Sequence, residues 1–141
     1  MNKIPLICLT LLVISGLILS ACAKQGTSAG LAATSWKLVS YGPARNQTAA
    51  SPGVETKLNF ATDGTISGNL GCNAFSGDYE VKNDNIVFSQ MISTMMACTE
   101  PLMTQETTAL QVMAGTVHFE LAGSTLTIYA ESGDSAITLS N

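Results

Sequence analysis

Val117-His118-Phe119-Glu120-Leu121-Ala122-Gly123-Ser124-Thr125-Leu126-Thr127-Ile128-Tyr129-Ala130 decides what kind of fold this chain builds. Val117, Phe119 and Leu121 alternate with His118 and Glu120, Gly123-Ser124 interrupts the run, and Leu126, Ile128 and Ala130 resume it. Period two sends alternate side chains to opposite faces of an extended strand, so the segment reads as a hairpin with one buried face. Downstream, Gly133-Asp134 precedes Ile137 and Leu139. Upstream, Trp36 and Leu38, Leu58 and Phe60, Ile66 and Leu70, Tyr79 and Val81, and Ile86 and Phe88 repeat the alternation, with Asp63-Gly64 and Asn83-Asp84-Asn85 as corners. Asp-Gly suits a tight hairpin turn because it tolerates positive φ. About eight short strands follow from this pattern. One segment departs from it: Thr99-Glu100-Pro101 resembles a helix entry with Thr99 as cap, Leu102, Met103, Ala109, Leu110 and Met113 fall at helical spacing, and Gly115 is a stop. The expected fold is α+β: a curved antiparallel sheet of about eight short strands with one helix packed on its open side.

The front of the chain reads differently. Lys3 supplies a positive start, and Ile4 to Leu19 form an almost unbroken apolar stretch of 16 residues, short of the roughly 20 that a membrane span needs. It ends in Leu19-Ser20-Ala21-Cys22, which resembles a bacterial lipobox. That resemblance implies cleavage before Cys22 and acylation, including palmitate, of the Cys22 thiol and new N-terminus. An uncleaved anchor helix and an ordinary cleaved signal are the alternatives. Two or three acyl chains, at about 0.8 kcal/mol per buried methylene, hold a protein firmly to a bilayer. Lys24 rather than an acidic residue follows Ala23, which by resemblance to enteric lipoproteins implies sorting to the outer membrane, facing the periplasm. The expected organisation is therefore a lipoprotein signal peptide at 1–21, a flexible Ala/Gly/Ser/Thr/Gln-rich tether at 22–34, and one domain at 35–141. A chain of 141 residues leaves room for no second domain.

Composition narrows the function. Charged residues make up 11% of the chain and the formal charge is −4, so cations to meet nucleic-acid phosphates are lacking. The mean hydropathy of +0.30 is concentrated in the leader. His118 is the single histidine; alternating with Val117 and Phe119, it reads as a surface strand residue. No Gly-x-Ser-x-Gly turn runs from a strand into a helix, and neither a phosphate-cradling nor a dinucleotide glycine loop occurs. Asp78 and Glu80 share one strand face and read as solvated rather than as an acid–base pair. No enzyme, cofactor or metal is expected.

With Cys8 removed and Cys22 acylated, Cys72 and Cys98 remain. An oxidising compartment favours their pairing over free thiols, and a metal site would have only His118 to add. Met91, Met95, Met96, Met103 and Met113 gather in one stretch. Methionine fills irregular core gaps and also forms adaptable binding surfaces. The stretch reads first as core tied down by Cys98, and second as an apolar patch at Met95, Met96 and Met103 for a lipid or protein partner.

Gly68-Asn69-Leu70-Gly71-Cys72-Asn73-Ala74-Phe75-Ser76-Gly77-Asp78-Tyr79 and Ser93-Thr94-Met95-Met96-Ala97-Cys98 resemble the paired signatures of the META domain, or HslJ-like, family. Trp36-Lys37-Leu38, Leu58-Asn59-Phe60 and Leu126-Thr127-Ile128 fit the same template, from about Ser35 to Asn141. The resemblance implies a small α+β domain, often on an envelope lipoprotein, from a family with no established catalytic activity that is linked to heat and to novobiocin-type stress tolerance. Gly71, Asn73, Phe75, Gly77, Tyr79 and Thr94 are its structural motif positions; Gly71 and Gly77 suit tight turns, and Asn73 can hydrogen-bond its own backbone. The expected function is a lipid-anchored envelope module that binds a protein or apolar ligand. The alternative is a periplasmic inhibitor or assembly chaperone.

Overall fold

The computed structural model describes residues 30–141; the signal peptide and Cys22 lie outside the described residues. Nine strands and one helix follow in order: β1 (Thr34–Pro43), β2 (Thr48–Ala49), β3 (Lys57–Phe60), β4 (Thr65–Asn69), β5 (Ala74–Lys82), β6 (Asn85–Ser93), α1 (Leu102–Val112), β7 (Thr116–Ala122), β8 (Thr125–Tyr129) and β9 (Ser135–Ser140). From β3 onward each strand pairs antiparallel with the next, and β1 pairs with both β3 and β9. Leu38 stands opposite Leu139 and Tyr41 opposite Ile137, so the sheet closes into an eight-stranded barrel to which the two-residue β2 is appended.

The expected open, curved sheet with a helix packed on it is thereby corrected: the molecule is a closed barrel, mostly sheet, with one short helix. Alternation reports which face of a strand is buried and is silent on which strands are neighbours. Closure follows from β1 meeting β9, which satisfies backbone groups that an open sheet leaves bare. The inward residues are those that alternation marked, including Trp36, Phe60, Ile66, Ile86, Val117 and Leu139. A barrel of eight strands is just wide enough for side chains to fill it.

Both mouths are plugged. Strand directions place the β3–β4, β5–β6 and β7–β8 turns at one end together with the chain's entry at Thr34. There Leu31 is fully buried, and the Thr34 amide donates to its carbonyl at 3.2 Å. Residues 31–34 therefore belong to the fold and not to the tether. At the other end α1 contributes Ala109 and Val112, and Met113 follows at its C-terminus, all buried in the core. The helix starts without a side-chain cap from Thr99; instead the Glu100 carboxylate accepts from the Thr104 amide at 3.1 Å and its hydroxyl at 2.7 Å, bringing negative charge to the helix's positive end.

Candidate functional site

The corner between β4 and β5 starts from Asn69. Its Oδ1 accepts the Gly71 amide at 2.9 Å and its Nδ2 donates to the Cys72 carbonyl at 3.2 Å, the local turn expected of Asn73. The bend carries Cys72 and Asn73 against α1. There the buried Glu106 carboxylate accepts the Cys72 amide at 2.7 Å, the Asn73 amide, and Asn73 Nδ2 at 2.7 Å. Asn73 does not serve its own turn. Its Oδ1 accepts from the Thr94 hydroxyl and the Met96 amide, both at 2.7 Å, and its Nδ2 also donates to the Met96 carbonyl at 3.2 Å. One side chain thus joins the corner, the helix and the strand-exit segment 94–96, and the Cys72–Cys98 disulfide, with Cα atoms 6.0 Å apart, closes the same triangle. Beside it Gln105 donates to the Leu70 carbonyl and accepts from the Ser51 amide, each at 2.7 Å.

The motif glycines act by closeness, not by turning. A Cβ at Gly71 would lie 2.8 Å from the Leu102 carbonyl oxygen, and one at Gly77 would lie 2.5 Å from Met91 Sδ. Gly77 faces a bulge in β6, where Gln90 has φ of 52°. Phe75 is buried in the core. Tyr79 meets Phe60 edge-on at 4.9 Å and donates to the Ala61 carbonyl at 2.7 Å; burial, with the Asp63 charge second, holds its phenol above the usual range.

The network holds an apolar surface in the open. Ile92 is 69%, Met95 98% and Met96 58% exposed, so the core reading of this run is corrected for Met95 and Met96. Met103 is half-buried and accepts the Cys98 amide at its sulfur, 3.4 Å away. The three patch methionines therefore do not form one surface of equal exposure: Met95 and Met96 project, while Met103 braces the disulfide. A cleft of about 200 Å³ lies alongside, lined by Phe75, Met91, Ile92, Ser93 and Leu110.

On β7, beside the start of β6 at Asn85, His118 stacks on Tyr129 with ring centres 5.8 Å apart. Its Nδ1 is 3.5 Å from Asp84 and its Nε2 3.8 Å from Glu120. Tyr129 donates to Glu120 at 3.1 Å, and its phenol is raised by burial and then by that bond. Asp78 accepts from Gln90 and Glu80 pairs with Lys82 at 2.9 Å, so the two carboxylates are spent on separate partners. Among the described residues no three His, Cys, Asp or Glu side chains cluster closely enough to hold a metal ion.

Sequence reasoning missed Gln105 and Glu106. The available signal was their position: they fill the i+3 and i+4 places between Leu102 and Ala109 on the inward stripe of α1, where polar residues must find buried partners.

A META domain family model matches residues 29–141. No curated protein matches the chain. Among solved structures, a protein from Burkholderia xenovorans superposes with a TM-score of 0.67 at 22% identity, covering 81% of this chain and 85% of its own. A second solution structure gives 0.64 at 20%, covering 81% and 93%. A duf4847 family protein from Bacteroides vulgatus gives 0.60 at 12%, covering 82% and 96%. At these identities the likeness is one of fold.

Proposed function

The chain belongs to the META domain family, and from that premise we propose that it is a non-enzymatic, lipid-anchored envelope module that binds a protein or apolar partner and so supports tolerance of heat or novobiocin-type stress. The observation that carries the reading is the exposure of Ile92, Met95 and Met96 on a backbone held by Asn73, Glu106 and the disulfide. Methionine-rich surfaces adapt to irregular apolar partners, and apolar side chains kept on a fixed frame mark interaction sites. The lipobox-like Leu19-Ser20-Ala21-Cys22 supplies the membrane attachment.

The test uses a deletion strain complemented with wild type, Cys22→Ala, or the double variant Met95→Ser and Met96→Ser. Wild type should incorporate labelled palmitate, fractionate with the outer membrane and restore survival under heat and novobiocin. Cys22→Ala should lose the label, and the double variant should keep its melting temperature and lose the rescue. An unlabelled, cytoplasmic wild-type protein, or full rescue by the double variant, overturns the reading.

A further inference from the structure

The barrel's closure is uneven. β5 and β6 pair along their length, from Lys82 and Asn85 to Phe75 and Ser93, whereas β6 and β7 are in register only at Asn85–Val87 with Thr116–His118. Beyond the Phe88 amide, which donates to Gly115 at 2.8 Å, the far half of β6 has a strand on one side only. Its polarity is fixed by one bond. The Thr94 amide donates to the Ala74 carbonyl at 3.0 Å, so Thr94 and Ile92 direct their backbone groups toward β5, while Met91 and Ser93 direct theirs away from it. Over about 7 Å this edge offers two amides and two carbonyls.

Edges are ordinarily protected by charge, lysine above all. Ser89 to Thr99 contains no charged residue. The cleft of about 200 Å³ between this edge and Leu110 of α1 is below the ~300 Å³ where small-molecule sites begin, and of a size for one apolar side chain.

We propose that the free edge of β6 at Met91 and Ser93 accepts an extended, uncharged segment of a partner protein as an added strand, with one apolar side chain of that segment seated among Phe75, Met91, Ile92 and Leu110. This deepens the binding-module reading and rests on it. Strand addition takes affinity from main-chain hydrogen bonds and specificity from alternate side chains. A residue opposite Met91 or Ser93 sends its amide to β6 and its side chain into the cleft. A lone segment fits better than a second barrel, because only two residues of edge are open and α1 stands beside them.

The probe is the capped, dye-labelled, uncharged heptapeptide Gln-Thr-Ser-Leu-Thr-Ser-Gln, titrated against the full-length protein purified from its host. Binding should weaken about tenfold when Leu becomes Ala, the effect of withdrawing one apolar side chain. N-methylation of the Leu amide should weaken it at least tenfold, and N-methylation of the following Thr, whose amide faces away, by less than twofold. Exchange of the Met91 and Ser93 amides should slow on binding. Ser93→Pro removes an amide that the β5 ladder does not use, so it should melt with wild type and lose the probe; if it fails to fold, the methylated peptides decide alone. Equal binding of the Leu-methylated peptide, no binding at millimolar concentration, or a dimer of the protein that Ser93→Pro abolishes each overturn the proposal. Failure of the peptide with continued loss of rescue by Met95→Ser and Met96→Ser would remove the strand-addition mode and leave the binding-module reading standing.

Discussion

Asn73 fills all four of its side-chain hydrogen-bonding positions, and each partner lies at least twenty residues away in sequence. Asn73→Ala strips the Met96 amide and the Glu106 carboxylate of buried partners, and should lower stability by about 2–4 kcal/mol, read by urea unfolding. Glycines separate two kinds of constraint. A Cβ at Gly68 would stand 1.9 Å from the Lys57 carbonyl oxygen, so Gly68→Ala should remove about 3 kcal/mol or more or prevent folding. Gly133 has φ of 73° and open space around it, so Gly133→Ala should lose only about 1–2 kcal/mol through backbone strain. Asp63 receives the Thr65 hydroxyl at 2.7 Å and amide at 3.0 Å, which holds its carboxyl below the usual range. The unfolded chain takes up that proton first as pH falls, so the stabilisation is complete above the ordinary carboxylate value near 4 and is lost below it. Melting profiles of wild type and Asp63→Asn should therefore converge as pH falls below that ordinary carboxylate value; profiles that stay parallel would contradict this.

Among elements, the corner at 70–73, helix α1 and the segment 94–98 behave as one unit, though they come from distant parts of the chain. The disulfide spans 26 residues, and opening it should cost about 3–4 kcal/mol through the unfolded chain's freedom. The hydrogen bonds of Asn73 and Glu106 would remain, so the double variant Cys72→Ala and Cys98→Ala should stay folded, with a lower denaturant midpoint. Asn69, not Asn73, makes the turn, and nothing local distinguishes the two asparagines: which side chain curls back and which reaches across is set by where α1 arrives. Glu106 was hidden for the same reason. A glutamate within a helix ordinarily faces solvent, and only its place between Leu102 and Ala109 hinted otherwise.

For the whole molecule, each mouth needs its plug. Leu31 is completely buried despite polar and small neighbours on either side, so Leu31→Ala should destabilise the barrel by about 2–5 kcal/mol, measured by thermal melting. A Leu31→Ala protein that melts with wild type would show that residues 31–34 are dispensable, as a tether would be. Alternating apolar residues, corner residues and the helical interval by themselves determined the strands, most turns, one helix and the inward set from Trp36 to Leu139, because side-chain periodicity is a local consequence of backbone geometry. The paired glycine-cysteine-asparagine and cysteine blocks determined the family. Only the tertiary structure decided that β1 and β9 meet, that Leu31 enters the core, that Asn73 and Glu106 face each other, and that Met95 and Met96 stay outside. Those outcomes depend on contacts between residues far apart in the chain, and a two-residue period is identical in a sheet that closes and one that does not.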